Sequence, residues 1–188
     1  MNAPVLLQVL ANFACIGLLT LFFFKRDFST TLRWWLTAVP HVACPLLLIT
    51  AYFTGVAPLT PASWATPLAL AAVVPSVASV ALMFFAWGTH RTPLAHFHQR
   101  DDAPVRIVTH GAYRRIRHPF YSSYLLVYLA AVLLFPHVVT LALFGYVVLM
   151  FNVTAAGEER RLAGSRFGAE YRAYLTHTRR FLPRLGPR

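Results

Sequence analysis

The sequence predicts an all-α, polytopic membrane protein with about five transmembrane segments, a basic cytoplasmic loop and a C-terminal interfacial helix. Only 12% of the 188 residues are charged and 57% are apolar, about half the charged fraction of a typical soluble domain. The apolar residues form unbroken blocks near the ~20-residue length that spans a bilayer. All 17 Lys and Arg residues fall within 25–33, 91–117 and 160–188, which is the positive-inside pattern of alternate loops.

Three apolar segments make up the first half of the chain, at residues 5–24, 36–55 and 67–87. The first lacks the basic region and cleavage site of a signal peptide, so we expect it to be retained. A basic loop at 25–35 and an uncharged, proline-rich outer loop at 56–66 connect the three. Pro40 and Pro45 predict kinks in the second segment. Cys15 and Cys44 lie inside spans and read as small apolar residues.

The second half begins with a polar, basic stretch at 88–117 and continues with apolar segments at 120–135 and 138–153. Pro136 and His137 predict the turn between them. The last of these helices is expected to continue beyond the membrane through residue 162. In residues 166–182, aromatic side chains at i, i+4 and i+7 favour an amphipathic helix lying at the interface: Phe167, Tyr171 and Tyr174.

Five segments and the placement of charge predict an N-terminus outside, with both basic loops and the C-terminus in the cytoplasm. We expect a single integral membrane domain over 1–188. The Ala- and Arg-rich, Lys-poor composition favours a bacterial inner membrane. Topology and attraction to anionic lipids explain the net charge of +11, so no nucleic-acid partner is expected. The oligomeric state is not predicted.

His118 and Pro119 mark the start of the fourth segment. Proline favours the first position of a helix and pushes the preceding residue out of the helical region, so His118 is placed at a helix start facing the cytoplasm. Free N–H groups there, together with Arg114, Arg115 and Arg117, attract a carboxylate or phosphate. The alternative is a basic interface anchor with a capping histidine.

Tyr121, Tyr124 and Tyr128 follow along one face of the same helix, beside Ser122 and Ser123. A helix face against lipid would normally present Leu, Ile or Val. The stripe therefore either lines a ligand groove or makes interhelical hydrogen bonds.

Glu158 and Glu159 are two of only six acidic residues, and they sit together at the end of a membrane helix, where ionisable groups are functional candidates. Glu158 can pair with Arg161 at i+3. Glu159 has no basic residue at i+3 or i+4, which makes it the better candidate for a cationic group or a ribose hydroxyl. Asn152 shares its face, and the small residues 155–157 leave room for a ligand. The alternative is a solvated helix end.

A metal site in the loop at 88–117 is not expected. Its histidines and acids have no helical spacing and no cysteine partner: His90, His96, His98, Asp101 and Asp102. Phosphate-binding loops, nucleophile elbows and strand–Gly-loop–helix units are also missing from the sequence.

Three stretches in this order resemble the isoprenylcysteine carboxyl methyltransferase and phospholipid methyltransferase superfamily of membrane enzymes. They are IVTHGAYRRIRHPFY at 107–121, the pair Glu158-Glu159, and FGAEYRAYLTHTRRFLP at 167–183. The resemblance implies S-adenosylmethionine as cofactor, bound by the half of the chain at 88–188 in a pocket facing the cytoplasm. It implies cofactor contacts at these positions: Ile107, Val108, Tyr113, His118, Tyr121 and Glu159. Arg117 and Asn152 join them on the reasoning from the residues given above.

One position departs from the superfamily pattern. Prenylcysteine enzymes carry an Arg four residues before the cofactor Glu, where it engages the substrate, and this chain has Ala155. The resemblance therefore does not carry over a carboxylate substrate held by that Arg, nor a prenylated protein as the natural substrate.

The sequence thus predicts a methyltransferase for a lipophilic acceptor that enters from the membrane. Tyr124, Tyr128 and Ala155 are the candidates for contact with the acceptor, and His118 or Glu158 for a general base if the acceptor needs one. Two alternatives stay open: an NADPH-dependent membrane reductase of the related sterol-reductase fold, whose known members are longer, and a non-catalytic lipid-binding protein.

Overall fold

The computed structural model describes residues 1–23, 32–89 and 107–183. His90, His96 and His98 lie outside these residues, so the structure does not bear on a metal site in that loop. Within the described ranges, no group of three or more His, Cys, Asp or Glu residues is placed to hold a metal ion.

The described part of the chain is helical, which confirms the all-α prediction. Its only bridge between extended segments joins Ile116 to Arg179 in parallel orientation. Single-turn 3-10 helices lie at Ala62–Trp64 and Gly111–Arg114. The α-helices are α1 (Ala3–Phe23), α2 (Leu32–Thr54), α3 (Ala65–Gly88), α4 (Pro119–Leu134), α5 (Val138–Ala163) and α6 (Gly168–His177).

Three stretches of the described residues are long and apolar enough to cross a membrane: Trp35–Thr54, Ala62–Gly88 and Val138–Ala163. Two shorter apolar helices accompany them, Ala3–Leu18 and Pro119–Leu134. The chain is therefore an integral membrane protein in character, and the count of five crossings stays a prediction.

The second predicted segment, at 36–55, agrees with the apolar stretch Trp35–Thr54 of α2. One predicted boundary is wrong. Helix α6 ends at His177 instead of continuing to residue 182. Thr178 adopts an extended conformation (φ −128°, ψ 159°), and the residues after it bond to the segment that precedes α4.

Helix α3 lies at the centre of the bundle, with its most extensive contacts against α4 and α1. Its buried stripe is made mostly of small residues, including Ala69, Ala72, Ser76 and Ser79, and small side chains let membrane helices approach closely. The Asn12 side chain of α1 donates to the backbone oxygen and hydroxyl of Ser76, at 2.8 and 2.6 Å. Polar bonds of this kind hold helices together where water is excluded.

Helix α2 carries Pro40 and Pro45 in its interior. Pro40 has no N–H to donate to the carbonyl of Leu36, one turn earlier. The hydroxyl of Tyr146 on α5 donates to that carbonyl instead, at 3.0 Å. A neighbouring helix thus supplies the hydrogen bond that proline removes.

A close backbone approach fixes the start of the segment before α4. Gly111 has φ +58°, and a Cβ there would lie 2.4 Å from Oγ1 of Thr89 at the end of α3. The same hydroxyl accepts a hydrogen bond from the backbone N–H of Ala112 at 3.2 Å and donates to the carbonyl of Phe85. A glycine at position 111 is therefore required for the segment to lie against the end of α3.

Candidate active site

The start of α4 is built as predicted, with His118 at the N-cap and Pro119 at the first helical position. The chain just before it pairs with the chain that follows α6. The N–H of Arg117 donates to the carbonyl of Arg179 at 2.8 Å, and the N–H of His118 to that of Arg180 at 3.0 Å. The hydroxyl of Ser122 donates to the carbonyl of Phe181 at 2.7 Å. These bonds hold the C-terminal segment across the start of α4.

Glu159 reaches this junction from the end of α5. Its Oε1 accepts from Nε of Arg117 at 2.9 Å and from Nε of Arg180 at 3.1 Å, and it lies 3.3 Å from Nε2 of His118. Its Oε2 accepts from Nη2 of Arg180 at 2.5 Å. Glu159 does lack a basic partner on its own helix, but three partners come from other segments. Arg180 also donates to Oδ1 of Asn152, which confirms that Asn152 and Glu159 share a face.

Glu158 faces the same cluster from the neighbouring position. Its Oε1 accepts from the hydroxyl of Tyr121 at 2.6 Å, and its Oε2 lies 3.4 Å from Nδ1 of His118. The expected pair with Arg161 is not among the ion pairs of the described residues. Because Tyr121 and His118 offer a drier environment than Arg161 at the helix surface, their bonds to Glu158 are worth more.

His118 joins the two carboxylates. Burial alone would lower the pKa of His118, but hydrogen bonds to Glu158 and Glu159 and their negative charges raise it above the ordinary 6.5. Hydrogen bonding to Glu159 likewise raises the pKa of Arg180. A protonated His118 with Arg117 and Arg180 sets three cationic groups against two carboxylates. The cluster can therefore accept one further anionic group of a ligand without becoming net negative.

An aromatic column leads from this cluster toward the membrane. The rings of His118 and Tyr121 stack at a centroid distance of 5.3 Å, and those of Tyr121 and Phe151 at 4.8 Å. Tyr124 also contacts Phe151, at a centroid distance of 5.8 Å. The first two members of the predicted stripe on α4 thus pack against α5, and the hydroxyl of Tyr121 also donates a hydrogen bond to Glu158.

The remaining predicted positions lie at different depths around the cluster. Ile107 and Val108 are half-buried, just before the turn at Gly111–Arg114. The carbonyl of Tyr113 accepts a 2.6 Å hydrogen bond from the hydroxyl of Tyr174. Burial raises the pKa of both tyrosines, that of Tyr174 to about 12, so both hydroxyls are neutral at physiological pH.

The three candidates for contact with an acceptor lie further into the bundle. Tyr124 is half-buried and touches Phe151, whereas Tyr128 is 2% exposed and Ala155 is fully buried. At Gly157, by contrast, an added Cβ would have no atom within 4 Å. Gly157 therefore faces open space, on a different side of α5 from the packed Ala155.

Sequence reasoning missed Arg180 and the segment around it. Arg117 donates to the carbonyl of Thr178 at 2.6 Å, and Phe181 lies against His118 at a centroid distance of 6.2 Å. The available signal was the run of polar and basic residues after the last aromatic of α6, which suits a bonded segment better than a helix buried in the interface.

Residues 64–170 match the sequence model of a family described as phospholipid methyltransferase. The match takes in α3, α4 and α5, with His118, Glu158 and Glu159 among the matched residues. It stops before Arg180. No curated protein matches the chain.

Proposed function

The chain belongs to the phospholipid methyltransferase family, and we propose that it transfers a methyl group from S-adenosylmethionine to a lipophilic acceptor at the cytoplasmic face of the membrane. The family gives the reaction class, a membrane methyltransferase. The observation that carries the finer proposal is the meeting of Glu159, His118 and Arg117 at the ends of two adjacent helices. All three lie in the matched region, and His118 and Arg117, 41 and 42 positions before Glu159, are each within hydrogen-bonding distance of its carboxylate.

The cluster has the donors and acceptors that a zwitterionic cofactor requires. Glu159 and the amide oxygen of Asn152 suit an amine or ribose hydroxyls, and Arg117 suits a carboxylate. In this structure the guanidinium of Arg180 donates hydrogen bonds to both Glu159 and Asn152. Binding therefore requires the Arg180 side chain to move while its backbone stays bonded to His118.

S-adenosylmethionine, if bound here, would supply a methyl group on a positively charged sulfur for transfer to the acceptor. The chain's own contribution is alignment and exclusion of water. Tyr121 and Phe151 form the apolar wall on the membrane side of the carboxylates. Both ring nitrogens of His118 lie against carboxylates, so we assign any general-base role to Glu158 with Tyr121.

The test is calorimetry of the detergent-solubilised protein with S-adenosylhomocysteine. The parent is expected to bind it, and Glu159→Gln to bind it about 10- to 100-fold more weakly, because charge-assisted hydrogen bonds are lost. Glu170→Gln is the matched control, since it removes the same charge from an exposed position on α6 and should bind like the parent.

Parallel titration with NADPH separates the alternatives. Binding of NADPH without S-adenosylhomocysteine would support a reductase, and binding of neither would support a non-catalytic lipid-binding protein. A Glu159→Gln variant that binds S-adenosylhomocysteine as tightly as the parent would overturn the role given to this carboxylate.

A further inference from the structure

His41 is an ionisable residue in the middle of α2, outside the matched family region. Its ring is surrounded by aromatic side chains of α1 and α4. The centroid distances are 5.2 Å to Phe13, 5.3 Å to Tyr124 and 6.4 Å to Tyr128. A Cβ at Gly17 would lie 3.1 Å from Nε2 of His41, so glycine at this position of α1 leaves room for the imidazole. A polar group at this depth is a functional candidate.

The contacts of the ring fix its tautomer. Nε2 lies 3.0 Å from the carbonyl oxygen of Phe13, and because a carbonyl only accepts hydrogen bonds, Nε2 carries the proton. Nδ1 of the neutral ring is then a lone-pair acceptor. It is buried, and none of the described residues offers it a hydrogen bond. An acceptor left unpaired in such surroundings destabilises the protein, which makes it a place for a ligand donor.

A series of ring contacts connects His41 to the carboxylate cluster. Tyr124, which it touches, packs against Phe151, and Phe151 stacks on Tyr121 beside Glu158. Tyr124 and Tyr128 follow Tyr121 by one and two turns of α4, so the His41 ring lies roughly 5 to 10 Å deeper than Tyr121. A molecule that reaches the carboxylates from the bilayer between α1, α2 and α4 would pass this nitrogen.

We propose that Nδ1 of His41 binds an O–H or N–H group of the lipophilic acceptor, and that this selects hydroxyl- or amine-bearing acceptors over carboxylates. A lone pair attracts a donor and repels a carboxylate at the same position. The Ala at position 155 agrees with this, because that position offers no cation to a carboxylate. The inference rests on the proposed function in treating the bound molecule as a methyl acceptor. Binding at His41 does not itself require the cofactor.

The experiment uses protein containing isotope-labelled histidine in nanodiscs, observed by nitrogen NMR, with nonylphenol and nonylbenzoic acid as probes. The His41 signals are identified by their loss in His41→Phe. We expect an unprotonated Nδ1 in the free protein and a shift of that signal with nonylphenol only. His41→Phe should bind nonylphenol about tenfold more weakly and S-adenosylhomocysteine as the parent does. His177→Gln, at an exposed position of α6, is the control.

A protonated Nδ1 in the free protein, an unshifted Nδ1 signal, or an equal response to nonylbenzoic acid would overturn the proposal. The wild-type measurement stands even if His41→Phe does not fold. Failure of the two proposals is distinguishable. A response to nonylphenol without any binding of S-adenosylhomocysteine would support the ligand site at His41 and overturn the proposed methyltransferase function. Binding of S-adenosylhomocysteine without a response to nonylphenol would overturn only the ligand site.

Discussion

Glu159 takes its three positive partners from two segments other than its own helix, the chain before α4 and the chain after α6. The sequence could identify this carboxylate as unusual, because no basic residue stands at i+3 or i+4. It could not supply Arg180, which is 21 positions away and is held in place by backbone pairing of the C-terminal segment. Side-chain periodicity reports which residues share a helix face, and it carries no information on which distant segment covers that face.

His118 makes the stability of the cluster depend on pH. Because Glu158 and Glu159 raise its folded-state pKa above the ordinary 6.5, its contribution is fully present below about pH 6.5 and is lost as pH rises through the folded value. We expect the thermal unfolding temperature of the parent to fall across that window. His118→Gln should lose this part of the pH dependence, as followed by thermal unfolding in detergent between pH 5 and about 9.

The comparison that isolates His118 is the difference between parent and variant at each pH. His177→Gln, which changes an exposed histidine of α6, should keep the parental profile. A parent–variant difference that grows as pH rises would mean that His118 is neutral in the folded protein, contrary to the pairing with both carboxylates.

At the scale of helices, the lengths of the apolar runs predicted most of the elements. They did not predict the end of α6, which depends on hydrogen bonds to another segment. α4 and α5 begin at the proline and histidine that the sequence marked. α6 ends early because residues 178–181 gain backbone partners before α4, and that gain depends on a neighbour 60 residues away. The His137 cap of α5, where Nδ1 accepts from Val139 and the N–H donates to Thr140, explains the sharp turn after Pro136.

The hydrogen bond from the Tyr146 hydroxyl to the Leu36 carbonyl allows a test of how α2 tolerates Pro40. Tyr146→Phe should lower the free energy of unfolding by about 1 kcal/mol, since it leaves the Leu36 carbonyl without a donor. In a Pro40→Ala background the same change should cost much less, because Ala at position 40 has an N–H that can bond to Leu36. Unfolding of all four proteins in the double-mutant cycle measures the coupling.

Equal costs of Tyr146→Phe in the two backgrounds would contradict this account, and would mean that the hydroxyl bond and the proline are independent. Tyr52→Phe serves as the control. It removes a hydroxyl from the exposed outer part of α2 and should give no coupling with Pro40.

For the molecule as a whole, the sequence predicted that the start of α4 and the end of α5 lie on one side, because a two-residue turn makes the helices antiparallel. The 3.3 Å contact between His118 and Glu159 confirms it. The helix lengths indicate the depth of the cluster in the bilayer, which hydropathy alone could not give. With 16 residues, α4 spans about 24 Å, short of the ~30 Å hydrocarbon core, while α5 with 26 residues spans about 39 Å. The cluster therefore lies at one margin of the bilayer, level with the extra turns of α5.

Orientation is the remaining whole-molecule prediction, and charge decides it. The loop between α2 and α3 carries no Lys or Arg, whereas the basic residues that the structure describes in the second half lie on the side of the carboxylate cluster, in the segment before α4, at the end of α5 and in the chain after it. Since basic loops stay in the cytoplasm, Ser63→Cys, beside the uncharged loop, should react with a membrane-impermeant maleimide on intact bacterial cells. Ala169→Cys, on α6, should react only after the membrane is opened. Both positions are exposed, and both variants are made with Cys15 and Cys44 changed to Ala. Labelling of position 169 in intact cells would place the cluster outside, where S-adenosylmethionine from the cytoplasm cannot reach it, and the proposed reaction would fail with the topology.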